Sequence, residues 1–147
     1  MRVALLLHVL AVMFWLGGMA FVHTALRPAL TEVLEPPQRL SLLAVILRRF
    51  FAAVTLAIVV IFGSGAALIA ASPGVATRPT THAMIGLAVV MTLVFAFIRW
   101  RPYPALRSAV ASGTWPAGAA AAALIRRLVA FNLLVGIVII AAVILAA

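Results

Sequence analysis

Residues 50–77 read FFAAVTLAIVVIFGSGAALIAASPGVAT, 28 successive positions without a charged side chain. An α-helix needs roughly 20 apolar residues to cross about 30 Å of hydrocarbon, and this stretch exceeds that. Three further runs share the property: Val3 to Leu26 (24 residues), Thr80 to Ile98 (19) and Leu128 to Ala147 (20). None alternates with the period of two of a strand. In lipid, backbone N–H and C=O groups must be bonded within their own segment, which leaves helices. The composition agrees: 67% of the 147 residues are apolar and 9% charged, against about a quarter charged in soluble domains. The expected fold is all-α, an integral membrane four-helix bundle forming a single domain over 1–147, with helices at about 3–26, 37–71, 80–99 and 116–146.

All eleven basic residues are arginines. Nine of them (Arg27, Arg39, Arg48, Arg49, Arg99, Arg101, Arg107, Arg126 and Arg127) lie in or beside the first and third connections, while Arg2 and Arg78 flank the starts of the first and third helices. The positive-inside bias therefore predicts that those two connections are cytoplasmic and that both chain ends lie outside. The first run is expected to be an uncleaved span, because it is too long for a signal h-region and lacks a small-residue cleavage site. The net charge of +9 does not indicate a nucleic-acid partner: the arginines bracket apolar spans and form no basic domain of their own. The bilayer, with its anionic headgroups, is the partner this charge pattern implies. Without cysteine the chain offers no disulfide or thiolate site. Its only side-chain carboxylates, Glu32 and Glu35, fall in the first connection, which rules out a carboxylate proton relay within the spans.

The connections carry structure. Glu35-Pro36-Pro37 opens a helix that nothing but Gly63 and Gly65 interrupts before Ala71. Thr114 or Trp115 can cap another with Pro116 in its first turn. Helices two and four are therefore expected to project beyond the bilayer, and Ser72-Pro73-Gly74 to Pro79 to form a short turn. An internal repeat is also legible. His8 precedes Arg27-Pro28 by 19 positions, and His82 precedes Arg101-Pro102 by the same interval. Each half then carries an Arg-Arg pair before a long apolar run, Arg48-Arg49 and Arg126-Arg127. Two tandem helical hairpins related by an axis along the membrane normal are expected.

Chemistry falls to the histidines. His8 lies about five residues, roughly 8 Å, inside the first helix, and His82 two or three residues inside the third. Helices one and three run in the same direction, so the two imidazoles are expected at similar depth near the outer surface. That is the minimum for six-coordinate haem or part of a copper site, which makes His8 and His82 the candidate metal ligands. Ala11, Trp15 and Gly18 share the His8 face, Gly86 sits one turn below His82, and Gly63 and Gly65 lie at a similar level on helix two. Arg2 and Arg78, just outside, could pair with haem propionates. The cofactor-binding set is thus His8, His82, Trp15, Gly86, Arg2 and Arg78; the alternative for the histidines is interfacial hydrogen bonding. His23, near the other end of helix one, is expected to be interfacial. Met13, Met19, Met84 and Met91 are soft donors for Cu(I), although methionine in an apolar helix more often packs, and Met84 does not share a face with His82. Asn132, the one amide inside a span, is expected to hydrogen-bond between helices, with a quinone contact as the alternative. The arginine rim snorkels to lipid phosphate or forms an anion or partner site.

The stretches Leu7-His8, Trp15-Leu16-Gly17-Gly18 and Leu26-Arg27-Pro28-Ala29-Leu30 resemble the first helix of the copper-resistance protein D (CopD) family. Arg48-Arg49-Phe50-Phe51, His82-Ala83-Met84-Ile85-Gly86 and Arg126-Arg127 followed by Asn132-Leu133-Leu134-Val135-Gly136 resemble the rest of a small CopD-like protein. That resemblance implies copper uptake or tolerance in the bacterial inner membrane. The pattern is also similar to the HemJ-type protoporphyrinogen oxidases, which implies haem b on His8. That family carries His-x-Lys at its third helix, whereas this chain has His82-Ala83-Met84 and no lysine, so porphyrinogen oxidation by the same mechanism does not carry over.

Three readings follow. In the first, His8 and His82 hold haem b in a slot lined by Trp15 and Gly86, and electrons pass between a membrane quinone and an acceptor at the outer face. In the second, His8 and His82 bind copper with nearby methionines assisting, and a periplasmic redox or copper protein is the partner. In the third, the chain is a cofactor-free accessory subunit, and in each a homo-oligomer is compatible with the sequence.

Overall fold

The computed structural model describes residues 1–145, all helices and short turns. Four helical stretches among them are long and apolar enough to cross a membrane. Their most apolar windows have mean hydropathies of 2.2 to 3.0, yet no more than 22% of any window is buried inside the chain. Large apolar side chains such as Leu5, Leu56, Leu93 and Leu134 point outward. Apolar surface on this scale has lipid as its solvent, and the chain is a multi-pass, all-α membrane bundle.

Helix α1 (Arg2–Phe21) passes through a π-turn at Val22–Leu26 into α2 (Arg27–Val33). Pro28 explains the turn. It has no N–H, and its ring would collide with the carbonyl four residues back, so the ladder widens just ahead of it. The Arg27 N–H accordingly bonds the Val22 carbonyl. Leu34 then turns extended, and Glu35, held extended by the proline that follows it, starts α3 (Pro36–Ala71). At 36 residues α3 is about 54 Å long. A four-residue turn of helix, α4 (Pro73–Ala76), leads to Arg78 and α5 (Pro79–Trp100).

At Arg101-Pro102 the third span breaks. A separate helix, α6 (Pro102–Ser112), follows and is closed by Gly113 at φ 68°, a conformation that favours glycine. Finally α7 (Trp115–Leu145) returns through the bundle. The expected bounds therefore change at two places. The first helix continues to Val33 instead of ending near 26, and the third connection contains α6. The expected end at residue 146 lies outside the described residues.

The two hairpins are α1 on α3 and α5 on α7, with α7 also touching α1 and α3. Helix α6 folds back against α3, α5 and α7. Four aromatic rings from four helices meet edge to face at the centre. Trp15 stands 6.2 Å from Phe95, Phe95 5.6 Å from Phe51, and Phe51 5.2 Å from Tyr103, at interplanar angles of 79° to 85°. Such pairs contribute about 0.5–1.5 kcal/mol each beyond area burial. Close approach elsewhere depends on glycine: a Cβ at Gly18 would strike the Phe50 ring, and one at Gly136 would lie 2.8 Å from Leu16. Asn132, buried in α7, donates from Nδ2 to the Met91 carbonyl on α5 at 2.9 Å, the interhelical bond the sequence suggests.

Phe51→Ala would remove the ring shared by two of these contacts and should cost about 3–5 kcal/mol. A clear fall in Tm of the purified protein in detergent is expected, and an unchanged Tm would show that the aromatic layer is not what holds the hairpins together.

Candidate functional site

His8 lies on α1 two turns before Trp15 and faces α3. Its Nδ1 is 3.1 Å from the Ile61 carbonyl and 3.1 Å from Ser64 Oγ. Both neighbours act as acceptors here. A carbonyl has no hydrogen to give, and the Ser64 hydroxyl donates to its own helix, at the Val60 and Ile61 carbonyls. The carbonyl can only accept, so Nδ1 carries a hydrogen, and in the neutral ring the Nε2 lone pair is then uncommitted. Gly65 lies alongside the ring: a Cβ there would sit 3.4 Å from His8 Cε1, an ordinary contact. A ring anchored through Nδ1–H on a carbonyl, with Nε2 free, is the arrangement found behind metal-binding histidines.

His82 shows the same anchoring in a different setting. Its Nδ1 is 3.1 Å from the Arg78 carbonyl one turn back, so Nε2 again carries the free lone pair, but the side chain is exposed. The expectation of similar depth is corrected. Trp15 meets Phe95, 80 positions on, while the histidines are 74 apart. Along parallel axes His82 is therefore displaced outward by about six residues, roughly 9 Å. Helices α1 and α5 face each other only across the bundle, each packed on a different partner, so nothing draws the two rings together.

The slot expected between α1 and α5 is likewise filled. Trp15 is 4% exposed and packs edge-on against Phe95, whereas Gly86 faces outward with open space beside it. Arg2 and Arg78 are exposed at the ends of their helices. These residues do not form a cradle that a flat macrocycle would fill, and haem does not fit them. Of the methionines, Met19 and Met91 are core residues at 2% exposure and Met13 faces outward, so no ladder of sulfur donors forms. Among the described residues no group of three or more His, Cys, Asp or Glu side chains could hold a metal ion. His23, half-buried, sits in the π-turn at the opposite, arginine-rich end.

Sequence periodicity missed Ser64 and the Ile61 carbonyl, the groups that orient His8. The one available signal was a hydroxyl between two glycines in the arginine-poor half of an apolar helix.

The fold and site define a small polytopic membrane protein with one half-buried, pre-oriented imidazole at its arginine-poor end. The family described as copper resistance protein D (CopD) matches residues 44–146, more than two thirds of the chain. The chain belongs to that family. It is a copper-resistance-related membrane protein, and the match takes in His82, Ile61 and Ser64 while His8 lies before it. No curated protein and no solved structure matches the chain.

The tautomer can be read directly. In 15N spectra of histidine-labelled protein above pH 8, His8 should show a protonated Nδ1 and a bare Nε2. Ser64→Ala should preserve that pattern, because the Ile61 carbonyl remains; a bare Nδ1 in the parent protein would contradict the network.

Proposed function

We propose that this protein handles copper as cargo at its arginine-poor end, in copper uptake or tolerance, and that His8 Nε2 is the first protein ligand the ion meets. The observation that carries this reading is the anchoring of His8 Nδ1 on the Ile61 carbonyl at 3.1 Å. Imidazole nitrogen suits copper in either oxidation state, and an Nδ1–H held by a carbonyl orients the ring and raises the basicity of Nε2. His82 Nε2, exposed and about 9 Å further out by the axial estimate, acts as a separate receiving ligand and not as a partner in one chelate. One imidazole at a time gives an exchangeable site, suited to hand-over more than to storage. Copper reaching His8 needs further donors from water, a soft thioether or a delivering protein.

The arginine bias supports placing the arginine-rich end in the cytoplasm and the histidines on the outer side of a bacterial inner membrane. A periplasmic copper partner is then the natural donor or acceptor. The residues that haem would need, Trp15 packed on Phe95 and Gly86 facing outward, do not fit that group.

Two measurements test these statements. Purified protein titrated with Cu(I) against a chromophoric chelator should bind it, and His8→Ala should weaken the affinity at least about ten-fold, the equivalent of roughly 1.4 kcal/mol. His23→Ala should leave it unchanged, and undiminished binding in a His8→Ala/His82→Ala double variant would refute the histidine assignment. Because the chain has no cysteine, single cysteines report sidedness without background. A cysteine at Thr77 should react with an impermeant maleimide added to intact cells, and one at Ser112 only after permeabilisation; the reverse pattern would invert the proposed topology.

A further inference from the structure

At the arginine-rich end, three guanidinium groups from three helices line one cleft of about 300 Å³: Arg27 at the start of α2, Arg39 in the first turn of α3, and Arg126 on α7. Ala119, Ala122 and Ala123 of α7 form part of its wall, and their small side chains leave the space open. We propose that this cleft is a binding site for a phosphate-bearing anion, either the headgroup of an anionic lipid or a free phosphate compound.

The π-turn places the first arginine. On α1 the inward face runs through Ala11, Trp15, Met19 and Val22. An unbroken α-helix would continue that face at Leu26. The π-turn adds one residue, so the position below Val22 is Arg27, whose N–H bonds the Val22 carbonyl. Arg27 is consequently half-buried and turned towards the bundle, where the like charges of Arg126 and Arg39 bear on it.

No carboxylate offsets them. Glu32 and Glu35 are the chain's only acidic side chains, and neither lines the cleft. The Thr31 hydroxyl on its rim donates to the Arg27 carbonyl at 3.0 Å and supplies no negative charge. Three converging cations with no protein counter-ion repel one another, and the fold still brings them together. Arginine forks match the paired oxygens of phosphate, and basic pockets between membrane helices are where phosphate headgroups dock. The volume is near the lower end of small-molecule sites, roughly 300–1,000 Å³. Arg126 is itself exposed at the cleft's mouth, whereas Arg48, Arg49 and Arg127, also exposed, stand outside it, so the rim seen in the sequence divides into a site and a solvated face.

Thermal unfolding of the full chain in a zwitterionic detergent tests the proposal, with inorganic phosphate titrated against chloride at constant ionic strength and phosphatidylglycerol titrated against phosphatidylcholine. A ligand that binds only the folded state raises Tm with concentration. A rise with inorganic phosphate identifies a free anion as sufficient, and a rise only with phosphatidylglycerol identifies the lipid headgroup. In either case Arg126→Gln should weaken the response at least about ten-fold, Arg126→Lys should weaken it less, and Arg107→Gln, on an exposed arginine outside the cleft, should not change it. Arg126→Gln relieves repulsion and should fold at least as well as the parent without ligand. No rise with either probe, or a full response in an Arg27→Gln/Arg126→Gln double variant, overturns the proposal.

Discussion

Hydrocarbon offers helices no hydrophobic reason to associate, because lipid tails are as apolar as leucine. What holds this bundle must be contacts that lipid cannot reproduce, and they are concentrated in one layer. Trp15, Phe51, Phe95 and Tyr103 interlock there from α1, α3, α5 and α6. This layer ties the first hairpin to the second. It also decides the site chemistry, because the rings occupy the space between α1 and α5 and leave the histidines and arginines to the two ends. With the middle dry, the buried Asn132 finds its partner in the Met91 carbonyl of the neighbouring helix.

The two hairpins share a plan but differ at corresponding points. Each interrupts its first span at an Arg-Pro step, and each proline causes the interruption for the same steric reason. At Pro28 the chain absorbs the defect as a π-turn and continues, whereas at Pro102 it breaks, with Arg101 at φ −116° and ψ −78°, and α6 swings back onto the bundle. The histidines differ as well: His8 is wedged against α3, while His82 is exposed on its own helix. The two hairpins thus have unequal ends.

The spans were legible because a charge in the hydrocarbon is costly, so uncharged runs of sufficient length leave little choice. The arginine pairs and the Glu35-Pro36 start were equally plain. Less visible was α6. Its pattern of Tyr103, Leu106 and Ala109 between Pro102 and Gly113 is a helix signal, but a short one among arginines, where connections are the usual reading. The pairing of His8 with His82 failed for a different reason. Helical periodicity reports which face a residue occupies, whereas the neighbour of that face is set by how hairpins pack. His8 faces α3, a helix of its own hairpin, and its partners there are a serine and a backbone carbonyl that periodicity does not distinguish. Convergence of Arg27, Arg39 and Arg126 was hidden similarly, since it depends on one residue added by the π-turn.

The length of α5 has a consequence for where the protein is at home. At 22 residues it measures about 33 Å, close to the hydrocarbon thickness, and it breaks at the Arg101-Pro102 step. It cannot lengthen, because proline fixes its end. In a thicker bilayer Arg101 would be drawn below the headgroups, and in a thinner one the apolar turns beyond His82 would meet water. The first span, which runs on to Val33, and helices α3 and α7 are longer and impose no such limit. Hydrophobic mismatch at α5 thus disfavours residence of the protein in much thicker or thinner bilayers.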